Sequence, residues 1–366
     1  MKKLLVSSQD LKYNLNQINN IIKNEKKDIS VIAVVKSNGM GLDLIKYSKF
    51  LNENHIDTLA VANIEEAVEL RKNGVDCRIL MLTPSKIKEE LEILIQNDII
   101  ITLDSLESLK NAEEICSRLG KNIKAHIKID TGFSRYGILY YEKEKVLDII
   151  KNTNYIEVEG IYTHLSKAID EKYSKIQYDR FCDVLSFLEG NNISIKYRHV
   201  CNSTAFLKYP YMWQNTVRLG SCIQGRTLLC KDRFRQIGKF VSNIVEIKDI
   251  RKNTYVSYGN IYKAKKDMRI AILPVGYMDG FNYAKKRDDF TLKNNICAIW
   301  FEIKRLFKKN SIKVEINKTK YNVIGRLGMY HSVIDISKSD NIKNDVQVVF
   351  DIKPLDANSK IRREYT

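Results

Sequence analysis

The chain has 366 residues, 44% of them hydrophobic, with 16 glycines and four prolines, which suits two packed domains and excludes long disordered linkers. Its net charge is +17, but the lysines are spread evenly beside Asn, Ile and Glu, a pattern of solvated faces that argues against a nucleic-acid partner. Seven cysteines without a C-x-x-C pair, and five histidines far apart, exclude a disulfide framework and a structural metal and point to a reducing compartment.

In chain order, Met1-Lys2-Lys3 is followed by too short an apolar run for a signal peptide, and no later run approaches the roughly 18 residues that cross a membrane. The expectation is a cytoplasmic protein with no membrane partner. Residues 1–9 read as a strand or linker, with 6–11 serving a domain further along. From 10 to 231, eight short β-branched runs follow one another: 31–35, 58–62, 78–82, 99–103, 125–129, 158–164, 197–201 and 216–219. Helix-patterned stretches lie between them at 64–73, 106–119, 143–151 and 175–188. Near-continuous apolar strands alternating with helices predict a parallel sheet covered on its outer face, and eight such units predict an α/β fold, a (β/α)8 TIM-like barrel.

Polar residues gather where the runs end. Lys36 follows the first; Lys128, Asp130 and Arg135 lie at and beyond the end of the fifth. His164 ends the sixth, Asn202 and Ser203 follow the seventh, and Arg218 and Gly220 close the eighth. In such a barrel the carboxyl ends of the strands form the active-site rim, and the loops after strands seven and eight are the usual phosphate seat. Here they read Cys201-Asn202-Ser203-Thr204-Ala205 and Leu219-Gly220-Ser221, with short hydroxyls and a glycine that leave main-chain N–H groups open to an anion.

From 232 to 366 the texture becomes mainly β, with runs at 240–250, 269–275, 313–316, 321–324, 332–336 and 346–352. The exception is 297–309, where Ile299, Ile303, Leu306 and Phe307 share one helical face. A basic amphipathic helix can lie on a membrane, but packing on its own protein is the expectation here.

Several of these segments together resemble the alanine racemase family. Ala33-Val34-Val35-Lys36-Ser37-Asn38-Gly39 is similar to its cofactor-lysine signature. The similarity continues through His126-Ile127-Lys128-Ile129-Asp130-Thr131-Gly132, Gly160-Ile161-Tyr162-Thr163-His164, His199-Val200-Cys201-Asn202-Ser203 and Val217-Arg218-Leu219-Gly220. It resumes in Val256-Ser257-Tyr258-Gly259, Pro274-Val275-Gly276-Tyr277-Met278-Asp279-Gly280 and Gly325-Arg326-Leu327-Gly328-Met329. The resemblance implies a barrel followed by a β-rich domain, a homodimer with shared active sites, pyridoxal 5'-phosphate as cofactor and a small amino acid, alanine by default, as substrate.

It also implies roles. Lys36 carries the cofactor, as suits a desolvated amine, which is a nucleophile toward an aldehyde. Tyr258 enters from the other subunit, on the opposite face of the substrate. One base removes the α-proton and the other returns it, as inversion requires. A phenol of ordinary pKa about 10 must be made more acidic to serve so, and His164 is the neighbour the family uses. Arg218 faces the pyridine nitrogen, oriented by His199, and Asn202, Ser203, Gly220 and Ser221 hold the phosphate end. Arg135 binds the substrate carboxylate beside Lys128, which several relatives carbamylate. Met329 adds a main-chain contact, and Tyr277 narrows the entrance.

Three places depart from the family. Met40 stands where a phosphate-binding tyrosine is usual. Gly328-Met329-Tyr330-His331 replaces Cys-Met-Asp-Gln, and the terminal stretch 354–366 offers no obvious second phosphate-binding tyrosine. These departures leave open a racemase for serine or a longer amino acid, or a degenerate pyridoxal-phosphate-binding protein. Decarboxylases and D-amino-acid aldolases on the same barrel are disfavoured by Arg218, where such decarboxylases place an acid. Small cofactor-homeostasis barrels lack a second domain.

Overall fold

A strand that is apolar on both faces must be covered on both, and the larger part of the chain meets that demand by closing a barrel. The computed structural model describes residues 1–284, 288, 291–307, 312–339 and 341–366, with side chains 305–307 outside the description. The chain forms two compact units, Ser8–Ile237, and Met1–Ser7 with Gly238–Thr366.

In chain order the strands of the first half are β1 (Lys3–Val6), β2 (Ser30–Val34), β3 (Thr58–Val61), β4 (Arg78–Met81), β5 (Ile101–Leu103), β6 (Ile123–Asp130), β7 (Ile138–Leu139), β8 (Ile156–Tyr162), β9 (Tyr197–His199) and β10 (Thr216–Leu219). Eight of them form the order β4-β3-β2-β10-β9-β8-β6-β5, with β7 added beside β6. A parallel Leu80–Ile100 bridge joins the two ends. Each of the eight apolar runs in the sequence is one of these strands. Among their buried residues Ile32, Ala60, Leu80 and Ile100 form one apolar cluster. Two of the intervening helices start on good caps: Asn63 accepts from Glu66 N–H, and Ser105 and Ser108 form a reciprocal box.

The other unit is one nine-stranded sheet. Its strands are β1 with β11 (Lys239–Asn243), β12 (Glu246–Ile250), β15 (Met268–Leu273), β16 (Lys313–Ile316), β17 (Thr319–Ile324), β18 (Ser332–Asp335), β19 (Gln347–Phe350) and β20 (Arg362–Tyr365), in the order β12-β15-β18-β17-β16-β19-β11-β1-β20. A small hairpin, β13 (Tyr255–Val256) and β14 (Tyr262–Lys263), stands outside it.

Three sequence expectations are corrected. The strand near the start is β1, while residues 8–11 open a helix, Ser8–Asn24, whose Leu11, Leu15, Ile18 and Ile22 are buried at helical spacing. The run 240–250 is two strands, because the chain changes its pairing partner between Asn243 and Glu246, from β19 to β15. The late helix spans Leu292–Phe307 and does not pack its described apolar face on the protein: Ile296, Ile299, Trp300 and Ile303 are all exposed. The side chains of Leu306 and Phe307, and residues 308–309, lie outside the described residues.

Candidate active site

At the carboxyl ends of the barrel strands lies a cavity of about 350 Å³ lined by Lys36, Lys128, Arg135, His164, Asn202, Ser203, Arg218, Gly220 and Ser221, together with Met40, Thr83, Tyr136, Tyr162 and Thr204. Its size is that of a small-ligand pocket. Nine of the ten barrel candidates therefore line one cavity, and the tenth, His199, lies behind Arg218. Met40, singled out as a departure, is in the same wall.

The local backbone explains how Lys36 is presented. After β2 the chain enters a tight left-handed turn: Ser37, Asn38, Gly39, Met40 and Gly41 have φ between 55° and 83°. A non-glycine residue costs about 1–2 kcal/mol in that conformation, so three of these residues are held there by their surroundings. The Asn38 N–H donates to Glu66 Oε1 at 2.7 Å, Asn38 Oδ1 accepts from Leu44 N–H, and Gln224 donates to the Met40 carbonyl. At Gly39 a side chain would crowd the Leu44 backbone at 3.1 Å. The lysine thus stands on a rigid base at the mouth of the barrel.

Arg218 is the buried centre of the wall, 3% exposed. Its Nη1 donates to His199 Nδ1 at 2.7 Å and to the His199 carbonyl; its Nη2 donates to the Thr163 and Val200 carbonyls and lies 3.3 Å from His164 Nδ1. No hydrogen bond to a described residue uses Nε, so one donor of a buried cation remains for whatever fills the cavity. Burial lowers the Arg218 pKa to about 10, which leaves it charged at neutral pH. His164 is lowered too, with the opposite outcome for its charge: burial, then the charges of Arg218, Arg135, Lys128 and Lys36, bring it down to about 3, so it is a neutral imidazole.

The side of the cavity that holds Lys128 and Arg135 is also cationic. Lys128 is 5% exposed, with its Nζ 5.2 Å from the Tyr136 ring centre and 5.6 Å from that of Tyr162. Burial, then the charges of Arg135 and Arg218, lowers its pKa to about 8. Arg135 stacks on Phe133 at 4.3 Å and is delivered by a loop that Asp130 organises: its Oδ1 accepts from the N–H groups of Gly132, Phe133 and Ser134.

At the expected phosphate end, Ser203 Oγ accepts from the N–H groups of Gly220 and Cys222, both at 3.1 Å, and so ties the last two barrel loops together. Asn202 Oδ1 accepts from the N–H groups of Thr204 and Ala205. A Cβ at Gly220 would lie 3.4 Å from Val34 Cβ and 3.6 Å from Met40 Cε.

The remaining candidates belong to the other unit and are gathered there. Tyr258 is 72% exposed, Tyr277 49% and Met329 50%. Tyr258 lies near Gly328, whose Cβ would meet its ring at 3.7 Å. Tyr277 N–H donates to the Gly328 carbonyl and Met278 N–H to that of Met329. The Tyr258 hydroxyl makes no hydrogen bond to a described residue.

Sequence reasoning passed over two contributors. Tyr162, whose hydroxyl bonds Thr102 and the Leu82 carbonyl, stacks on His199 with ring centres 4.8 Å apart. Glu66 braces the Lys36 turn from a helix start. Tyr162 carried a signal, its place between Ile161 and His164 at a strand end; Glu66 carried none.

Comparison with known proteins agrees with this geometry. The alanine racemase N-terminal domain matches residues 6–227, and the alanine racemase C-terminal domain matches residues 237–361. An alanine racemase of Methanococcus maripaludis is 35% identical over 93% of this chain and 86% of its own length. One from Clostridium tetani is 32% identical over 93% and 83%. Among solved structures, alanine racemase of Clostridium difficile 630 superimposes with a TM-score of 0.86 at 27% identity, covering 100% of this chain and 95% of that one. The alanine racemase of Bacillus anthracis with bound L-Ala-P gives 0.77 at 25% identity, covering 95% and 85%. With both domains matched in order across almost the whole length, the chain belongs to the alanine racemase family.

Proposed function

We propose that this protein interconverts the L and D forms of a small amino acid, alanine first, with pyridoxal 5'-phosphate held in the barrel cavity. The observation that carries the reading is the cavity itself, which sets a lysine on a rigid turn beside a buried arginine with an unspent donor.

The residues fit that cofactor. Lys36 offers an amine for its aldehyde. Arg218 Nε offers a hydrogen bond to an unprotonated ring nitrogen, since an arginine keeps its protons. Asn202, Ser203, Ser221 and the Gly220 main chain offer hydroxyl and amide groups to its phosphate. When bound, pyridoxal phosphate withdraws electrons from the α-carbon and acidifies its C–H. Arg218, which keeps its own protons, would leave that ring nitrogen unprotonated.

The chain's own groups then move the proton. Lys36 Nζ takes or returns it on one face, and Tyr258 Oη of the partner subunit does so on the other. Two facts support a donor from outside the barrel unit. His164 is neutral with a pKa near 3, and the Tyr162 hydroxyl is buried and already bonded. Tyr258, by contrast, is exposed and makes no hydrogen bond to a described residue, as a group completing another protomer's site would be. Arg135 and Lys128 supply positive charge for the substrate carboxylate, with Met329 and Tyr277 shaping the entrance. We read the working form as a homodimer.

Chiral product analysis of L-alanine, L-serine and L-lysine in heavy water tests the activity. The expected result is equal final amounts of both alanine enantiomers with deuterium at the α-carbon, and slower turnover of lysine. No inversion of any of the three would refute the reading.

The same placement gives an expectation for Met40. A thioether at the phosphate end forgoes a hydrogen bond that a phenol would make, and one bond to a charged group is worth about 1.5–3 kcal/mol. Met40→Tyr is therefore expected to tighten cofactor binding by roughly 10-fold or more, measured by fluorescence titration of the cofactor-free chain. An unchanged dissociation constant would show that Met40 does not adjoin the phosphate.

A further inference from the structure

Behind Arg218 runs a line of buried polar groups that the reaction, as described so far, does not use. His199, fully buried, receives the Arg218 Nη1 bond at Nδ1, and its Nε2 lies 2.8 Å from His126 Nδ1. His126 is 1% exposed; its Nε2 lies 3.4 Å from the carboxylate of Glu159, itself 3% exposed, a charge contact without hydrogen-bond geometry, and makes no hydrogen bond to any described residue. Glu159 also holds the Arg78 guanidinium, which lies 5.0 Å above the Tyr197 ring, while His126 stacks on the same ring at 5.9 Å. The space is built for this: a Cβ on Gly160 would sit 2.4 Å from the His126 ring.

The ends of the line dictate its direction. Arginine can only donate, so His199 Nδ1 must accept. A neutral His199 then carries its proton on Nε2 and donates to His126 Nδ1. His126 in turn carries its proton on Nε2, toward a carboxylate that can only accept. Each imidazole holds one proton and every link has one donor and one acceptor. If His126 moved its proton to Nδ1, His199 would have to protonate Nδ1 as well, and two donors would meet at Arg218.

We propose that Glu159, anchored by Arg78, is a positioning residue for Arg218: from the far end of the line it backs the proton order that Arg218 imposes on His199 and His126, and so holds the guanidinium in place at the cofactor's ring nitrogen. The inference rests on the reading of Arg218 given above. Consistent with it, burial keeps both imidazoles neutral, His199 well below its ordinary pKa and His126 lowered. Burial alone would raise the Glu159 carboxyl, but its contacts with His126 and Arg78 outweigh that and it is lowered.

The test uses the full chain, with and without cofactor, labelled with nitrogen-15 in histidine. With five histidines in all, ring-nitrogen signals can be assigned by single replacement. The wild-type protein is expected to show the proton on Nε2 of both His126 and His199. Glu159→Gln, whose amide oxygen still accepts, should keep both. Glu159→Leu should let a second tautomer, with a proton on Nδ1, populate on at least one ring and lower kcat about 10-fold with KM little changed. Arg78→Met removes a partly exposed residue, so it should fold even if Glu159→Leu does not, and should populate a second tautomer. The proposal is overturned if either wild-type ring carries its proton on Nδ1. It also fails if Arg78→Met and any folded Glu159→Leu protein keep both tautomers. Because tautomers are read on the chain without cofactor, such a failure would leave the racemase reading intact. A wild-type protein with the expected tautomers but no racemisation would sink that reading alone.

Discussion

Replacing Lys36 with alanine is expected to abolish racemisation, by roughly 10⁴-fold or more, and to leave a protein that releases its cofactor on gel filtration. The reason is double. Lys36 is the amine in the cavity whose turn is locked by Glu66, Asn38 and Gln224, so no other side chain can take its position without rebuilding five left-handed residues. It is also one of the two groups that carry the proton, so a small amine added from solution could restore cofactor chemistry only partly. Lys128 is the other lysine in the cavity, but its Nζ lies close to the faces of Tyr136 and Tyr162, where it serves as a charge. Borohydride reduction followed by peptide mapping checks the point: the label should be on Lys36 in the wild type and absent from the variant. A label on Lys128 would reassign the site.

Tyr258→Phe is the second large effect, and its signature differs. The variant should bind cofactor as tightly as wild type, because in the proposed site the barrel residues hold the cofactor and the Tyr258 hydroxyl serves only to carry a proton. Racemisation should fall by about 10²–10⁴-fold, the usual contribution of a positioned acid–base group. Exchange should survive on one side only. With Lys36 intact, one enantiomer still trades its α-hydrogen for solvent deuterium without inverting, whereas the other is inert. Mass spectrometry of each enantiomer recovered from heavy water reads this directly. Loss of exchange from both enantiomers together would mean that residue 258 acts on the shape of the site and carries no proton.

Much of this arrangement was legible in the amino-acid order because parallel strands covered on both faces are written as unbroken apolar runs. The eight runs from 31–35 to 216–219 are the barrel strands, and the polar residues after them line one cavity. What escaped was held by tertiary context. Strand Arg362–Tyr365 reads as a charged tail, but it pairs with Lys3–Val6, and the Arg363 guanidinium is satisfied by the carbonyls of Ala357, Asn358 and Ser359. Helix Ser8–Asn24 did carry a signal in its Leu11, Leu15, Ile18 and Ile22 spacing. The left-handed turn after Lys36 did not, because Ser, Asn and Met have no intrinsic preference strong enough to announce it. The exposed face of Leu292–Phe307 departs from the rule that amphipathic helices bury their apolar stripe. Of the site, the ring of candidates was visible as residue types at strand ends. The Glu159–His126–His199 line was not, since its members come from three strands and face inward among apolar neighbours.

Subunit complementation tests the two-protomer active site most directly. Lys36→Ala and Tyr258→Phe proteins, each inactive alone, are mixed, dissociated and allowed to re-pair. If Lys36 of one protomer works with Tyr258 of its partner, every mixed dimer regains one intact site. Since about half of randomly paired dimers are mixed, roughly one quarter of wild-type activity should return. If both proton carriers came from a single chain, no mixed dimer would hold a complete pair, and activity would stay at the level of the separate variants.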